Sequence, residues 1–120
     1  MDEMRRVKQV AYNRKLAQRL EVLVKTKKGF AQIKMFGGVG FLLNGNMCFG
    51  VYKEDLILRL GEGTAEKVLK ERHAKPFDIT GRAMKGWVMV MPQGTKTDGQ
   101  IAAWTDDAIK FVRGALPAKI

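Results

Sequence analysis

Around Met35 to Gly40 the apolar spacing of the chain changes from three-to-four residues to two, and this change of period points to a helix that feeds an antiparallel sheet. Upstream, Tyr12, Leu16, Leu20, Leu23 and Val24 recur at the spacing that lines one side of a 3.6-residue turn, without an intervening proline, and Gly29 offers a stop. Downstream, Val39 to Leu43 leads into Asn44-Gly45, the dipeptide best suited to a two-residue type I′ hairpin because both positions need positive φ. Met47 to Tyr52 then runs back. After the polar turn Lys53-Glu54-Asp55, Leu56, Leu58 and Leu60 alternate with Ile57 and Arg59, so a leucine face is available for burial. The product is a three-stranded meander.

The remainder adds helices and one more strand. Gly61-Glu62-Gly63 breaks the sheet, and Thr64 is placed to cap a short helix running through Arg72, with His73 near its C-terminus. Pro76 to Gly86 reads as a connector, and Trp87 to Met91 as a fourth strand ended by Pro92. Thr97 with Gln100 three residues later matches a capping box, opening a last helix whose apolar side carries Ile101, Trp104, Ala108, Phe111, Val112 and Ala115. Pro117 ends it. No repeat or linker divides the chain, so residues 1–120 are expected to form one α+β domain. It has two layers: an antiparallel sheet, the meander plus one or two further strands, with N-terminal, middle and C-terminal helices packed on it. The hydrophobic fraction of 46% is enough for a core, since a chain of this size buries roughly two-thirds of its unfolded surface.

Charge narrows the partners. The net charge is +10 and the pI about 10.0, which favours anionic contacts: nucleic acid, an acidic membrane surface or an acidic protein. Residues 1–29 hold nine Lys/Arg against three acids, so most of the excess lies near the N-terminus. At 100° per residue, Lys8, Lys15 and Arg19 form a stripe beside Tyr12, with Arg14 and Lys25 further round. The stripe is either the solvated side of a core-packing helix or a polyanion surface with an aromatic among its cations. Asp2 and Glu3 follow Met1, and no apolar run has the length of a signal core or a membrane span, so a cytoplasmic protein without membrane contact is expected. Cys48 is the only cysteine, which allows no intramolecular disulfide and fits a reducing compartment.

No residue pattern assembles a catalytic site. Phe36-Gly37-Gly38-Val39-Gly40 has the glycines of a phosphate loop, but it is read as leaving a helix and opening a strand, the reverse of a phosphate cradle, and it lacks the Gly-Lys-Ser/Thr ending. A tight turn with close strand packing explains it. Neither Glu54-Asp55 nor Asp106-Asp107 has a sequence reason to share a buried site, and both read as solvated. A pocket around Arg59, His73 and Asp78 would need groups that no spacing brings together. Met35, Met47, Met84, Met89 and Met91 lie in the sheet half, mainly as core filler. Met84, Lys85 and Trp87, with Gly86 between them, could instead present an apolar rim beside a cation, as interaction surfaces do.

Three ordered motifs carry a resemblance: Met35-Phe36-Gly37-Gly38-Val39-Gly40-Phe41, Asn44-Gly45-Asn46-Met47-Cys48, and His73-Ala74-Lys75-Pro76-Phe77-Asp78-Ile79-Thr80-Gly81-Arg82. With Met84-Lys85-Gly86-Trp87-Val88 and Trp104 they cover nearly all of the chain from Met35 onward, and the chain resembles the TfoX N-terminal domain family. The resemblance implies helices packed against one antiparallel sheet. It also implies a regulatory function, since the best-known members regulate bacterial DNA-transformation competence together with a cyclic-AMP receptor-type transcription activator and are not known as enzymes. Those members carry a further helical domain, and this chain is expected to be a stand-alone N-terminal-type domain. Ala83 stands where similar stand-alone domains often have proline. No catalytic residue, metal ligand or cofactor carries over. The expected role is therefore a regulatory, protein-contacting module with a protein partner such as a transcription factor. Direct nucleic-acid binding through Lys8, Tyr12, Arg14, Lys15 and Arg19 is the alternative.

Overall fold

The structure, a computed structural model, describes residues 12–35, 37–78 and 81–119. In chain order it contains helix α1 (Arg14–Val24), strands β1 (Phe30–Met35), β2 (Gly38–Leu43), β3 (Asn46–Tyr52) and β4 (Asp55–Arg59), helix α2 (Glu62–Val68), strands β5 (Ala74–Pro76) and β6 (Trp87–Val90), a 3₁₀ turn over Pro92–Gly94, and helix α3 (Asp98–Ala115). The six strands form one antiparallel sheet in the order β1-β2-β3-β4-β6-β5. The fold is α+β, as expected.

Alternation along the strands makes two unequal faces, because directly opposed residues share a side. One face carries the rows Val39, Val51, Leu56, Val90 and Phe41, Phe49, Leu58, Val88. These are buried in a single cluster with Leu16, Leu20 and Val24 of α1, Ala65 and Val68 of α2, and Ile101, Ala108 and Val112 of α3. Each large side chain so buried stabilises the fold by about 1.5–3 kcal/mol relative to exposure. The Phe41 and Phe49 rings stack at 5.2 Å within it. The other face holds a smaller cluster of Ile57, Phe77 and Met89, flanked by Tyr52 and Trp87.

Local chemistry explains the well-anticipated elements. Asn44 and Gly45 adopt φ of 52° and 85°, the positive values that a type I′ hairpin between β2 and β3 requires. At α3 the Gln100 N–H donates to Thr97 Oγ1 at 3.1 Å and the Thr97 N–H to Gln100 Oε1 at 3.0 Å, a complete capping box. Leu56, Leu58 and Leu60 are all buried, as their spacing implied. Ala115, expected on the apolar side of α3, is exposed beyond the last buried turn.

Four expectations are corrected. Met35 to Gly40 is not a helix-to-sheet junction: β1 precedes it, and the glycines turn one strand into the next. β1 was hidden because its core-side alternation reads Phe30, Gln32, Lys34, and at the edge of a sheet only the first needs to be apolar. Second, α1 begins at Arg14, capped by the Asn13 side chain, which accepts from the Leu16 N–H at 3.0 Å; Tyr12 lies outside it in a bridge to Lys53. Third, Thr64 is not an N-cap. α2 starts two residues earlier after Gly61, whose φ of 82° and N–H bond to the Gly86 carbonyl set the start, and it ends at Val68 rather than Arg72. Fourth, β5 occupies the stretch read as helix exit and connector, since three residues ending in proline are too short to show a period.

Candidate functional site

The Met84–Trp87 rim is a turn held by its backbone. The Trp87 N–H donates to the Met84 carbonyl at 3.2 Å, and Gly86 takes a φ of 87° that a side chain would oppose, as the third residue of a type II turn requires. The Gly86 carbonyl accepts from the Leu60 and Gly61 N–H groups at 2.8 and 3.1 Å, and the Met84 N–H donates to the Phe77 carbonyl at 3.0 Å. This ties the rim to the exit of β4, the start of α2 and the chain after β5.

On that frame the side chains sort themselves. Trp87 is half-buried, its ring 5.6 Å from that of Phe77 and 5.3 Å from the Arg59 guanidinium above it. Arg59 also donates to the Met47 carbonyl at 3.3 Å. Lys85 is exposed, and Met84 keeps 45% of its surface in water, unusual for so large an apolar group. Lys85, Gly86 and Trp87 form a ridge between two shallow clefts of about 200 and 220 Å³, the first lined by Ala65, Leu69 and Pro76, the second by Arg59 and Phe111. Clefts of this size suit side chains of a partner better than a substrate.

The basic stripe does not survive as read. Lys8 lies outside the described residues. Arg14 and Lys15 are exposed, but Tyr12 is half-buried against the core ahead of the helix. Arg19 is committed elsewhere: its Nε and Nη2 donate to Asp98 Oδ1 at 3.1 and 3.0 Å, and its Nη1 and Nη2 to the Thr95 and Lys96 carbonyls at 2.9 and 3.2 Å. It is a strut joining α1 to the start of α3. The Met84, Lys85, Trp87 group is brought together; of the other, Arg14 and Lys15 stay exposed on α1, Tyr12 lies ahead of it and Arg19 is bonded to Asp98, Thr95 and Lys96.

The other residues singled out in the sequence are placed as follows. Asp55, read as solvated, is 8% exposed and paired with Lys75 at 3.2 Å; only Glu54 of that pair faces water. His73 gives its carbonyl to the Met91 N–H at 2.8 Å and packs its Cβ near Gly94. Arg59 stands opposite Trp87, at the far end of β6 from Met91, so Arg59 and His73 share no pocket. Burial pushes the Cys48 thiol up to about 12, which keeps it protonated and unreactive. The glycine loop packs against backbone: a Cβ on Gly38 would meet the Val51 carbonyl. Among the described residues no His, Cys, Asp and Glu grouping could hold a metal ion, and no helix is long and apolar enough to cross a membrane.

Comparison with known proteins adds a family. No curated protein and no solved structure matches. The family model described as TfoX N-terminal domain matches residues 23–112, from the last two residues of α1 to the buried Val112 of α3, and so takes in the whole sheet and the ridge. The chain belongs to the TfoX N-terminal domain family.

Proposed function

We propose that this chain is a non-enzymatic regulatory module that works by contacting another protein, in the competence- or transcription-related setting of its family. The contact is the Met84–Trp87 ridge, and the partner is a transcription activator. The observation that carries the reading is the exposure of Met84 on a backbone-fixed turn between two small clefts, beside Trp87 and the cations Lys85 and Arg59. A pre-set aromatic and methionine pair next to positive charge is the composition of an interface core, and a fixed turn avoids the ordering cost of a mobile one. A pull-down from bacterial cytosol, with and without nuclease, tests it. Recovery of a transcription activator that resists nuclease and is lost with Met84→Glu supports the reading; recovery unchanged by Met84→Glu and Lys85→Glu together overturns it.

The surplus of positive charge in residues 1–29 favours a second reading, nucleic-acid binding through Lys8, Arg14 and Lys15. Such binding rests on phosphate contacts and weakens steeply with salt. A DNA titration at several salt concentrations decides it: no affinity at low salt, or affinity unchanged by Arg14→Glu with Lys15→Glu, rejects this surface.

A further inference from the structure

β1 is an outer strand, and among the described residues half of its backbone hydrogen-bonding groups meet no other strand. The Asn44 N–H donates to the Gly29 carbonyl at 2.8 Å, so the two-residue alternation of the ladder turns the backbone groups of Ala31, Ile33 and Met35 toward β2. Those of Phe30, Gln32 and Lys34 point away from the sheet. Among the described residues no strand lies on that side, and Ala31 to Lys34 are all exposed. Next to this edge is an open groove of about 460 Å³, lined by Phe30 and Phe41 from the sheet and by Val22, Lys25 and Lys27 from α1 and the turn after it. Val22 is 71% exposed, the most of any large apolar side chain described.

Charge selects the occupant. From residue 21 to residue 35 the sequence holds Lys25, Lys27, Lys28 and Lys34 against the single acid Glu21, which also lines the groove. Pairing of β1 with a second copy would bring two sets of these lysines to one edge, where like charges repel, and lysines at an edge oppose such pairing. An acidic strand gains where a second copy loses. We infer that β1 takes up an extended acidic peptide from a partner protein as an added outer strand, its backbone bonded to Phe30, Gln32 and Lys34. Its groove-side positions carry apolar side chains beside Val22 and Phe30 and carboxylates against Lys25, Lys27 and Lys34, because all five residues lie on the helix-bearing side of the sheet. This builds on the reading of the chain as a protein-contacting module but uses a surface separate from the ridge.

The test is a titration of the isotope-labelled chain with the ten-residue peptide Thr-Glu-Thr-Val-Thr-Glu-Thr-Val-Thr-Glu, whose Glu and Val share one face, followed by amide NMR at low salt. The expected result is saturable shifts centred on the Phe30, Gln32 and Lys34 amides, unaffected by Met84→Glu. Methylating alternate peptide nitrogens should weaken binding by about tenfold or more, since strand addition depends on main-chain bonds. Lys25→Glu with Lys27→Glu should abolish it and admit instead the same peptide with Lys in place of Glu. Gln32→Pro removes one outward N–H at a position where an edge strand tolerates proline, and should weaken binding with the amide spectrum otherwise preserved. Absence of shifts at these amides, indifference to N-methylation, displacement of the peptide by a DNA oligomer with no effect on the outward amides, or a concentration-dependent dimer through β1 would each overturn the inference. A pull-down abolished by Met84→Glu alongside an intact peptide titration keeps the two surfaces distinct.

Discussion

The two edges of the sheet are built in opposite ways. β5 has three residues, ends in Pro76, and sends Lys75 across β6 to the nearly buried Asp55 on β4. β1 has six residues, no proline, and exposed side chains from Ala31 to Lys34. Proline and brevity close the first edge to strand addition, whereas lysines alone guard the second. A closed edge refuses every strand, and a lysine-guarded edge refuses selectively. That difference is why a partner's strand has one side of this sheet to choose.

The largest expected effect bears on how firmly each half is held. Phe49 stacks on Phe41 and packs at 5.7 Å against Phe30, tying β1 to the main core. Phe49→Ala should cost about 3–5 kcal/mol in denaturant unfolding, and Phe77→Ala, in the smaller cluster beside β5, about 2–3 kcal/mol because water can enter the space it leaves. Equal losses would break the comparison. Next comes the direction of the β1 amides. Ile33→Pro should cost about 2 kcal/mol by stranding a ladder carbonyl, while Gln32→Pro should cost under about 1 kcal/mol; the reverse order would mean that the edge faces the other way.

A smaller effect is expected at the closed edge. Lys75→Ala leaves Asp55 without its cation, and because Lys75 is itself half-exposed the loss should be about 1 kcal/mol, absent when Asp55→Asn accompanies it. The smallest effect at neutral pH concerns Cys48 on β3, two strands in from the open edge. Its thiol is pushed up to about 12 when folded, whereas an unfolded thiol ionises near pH 8.5. Between those values the unfolded chain has lost its proton and the folded chain has not. Stability should therefore hold below about pH 8.5 and fall as pH rises toward 12, more steeply than in Cys48→Ala. Alkylation at pH 8 at the rate of global unfolding would show that the open edge does not fray as far as β3.

Several features set within a few residues were readable from sequence, although the Thr64 cap was misread and the Asn13 cap missed; those set across the chain were not. The Asn44-Gly45 turn, the Thr97–Gln100 box and the leucine face of β4 depend on near neighbours, and all three formed as read. Met84, Lys85 and Trp87 stand together because one turn holds them. Arg19 shows the opposite case. A helical wheel turns it outward, but the acid and carbonyls it meets lie 76 to 79 residues away, at the start of another helix. β1 escaped because two of its three core-side residues are polar, and the same polarity makes it an accessible edge.

The β2–β3 hairpin turn has a second consequence, for the order in which the molecule is made. The Lys119 N–H donates to the Asn44 carbonyl at 2.7 Å, and Asn46 Nδ2 to the Pro117 carbonyl at 2.8 Å across a separation of 71 residues. The turn itself closes in microseconds once residues 39–51 are available. Its outer bonds wait until residues 117–119 have left the ribosome, when every strand has already been synthesised. Those bonds are thus the latch set last in this part of the sheet, and until then the Asn44 carbonyl and the Asn46 amide lack these partners.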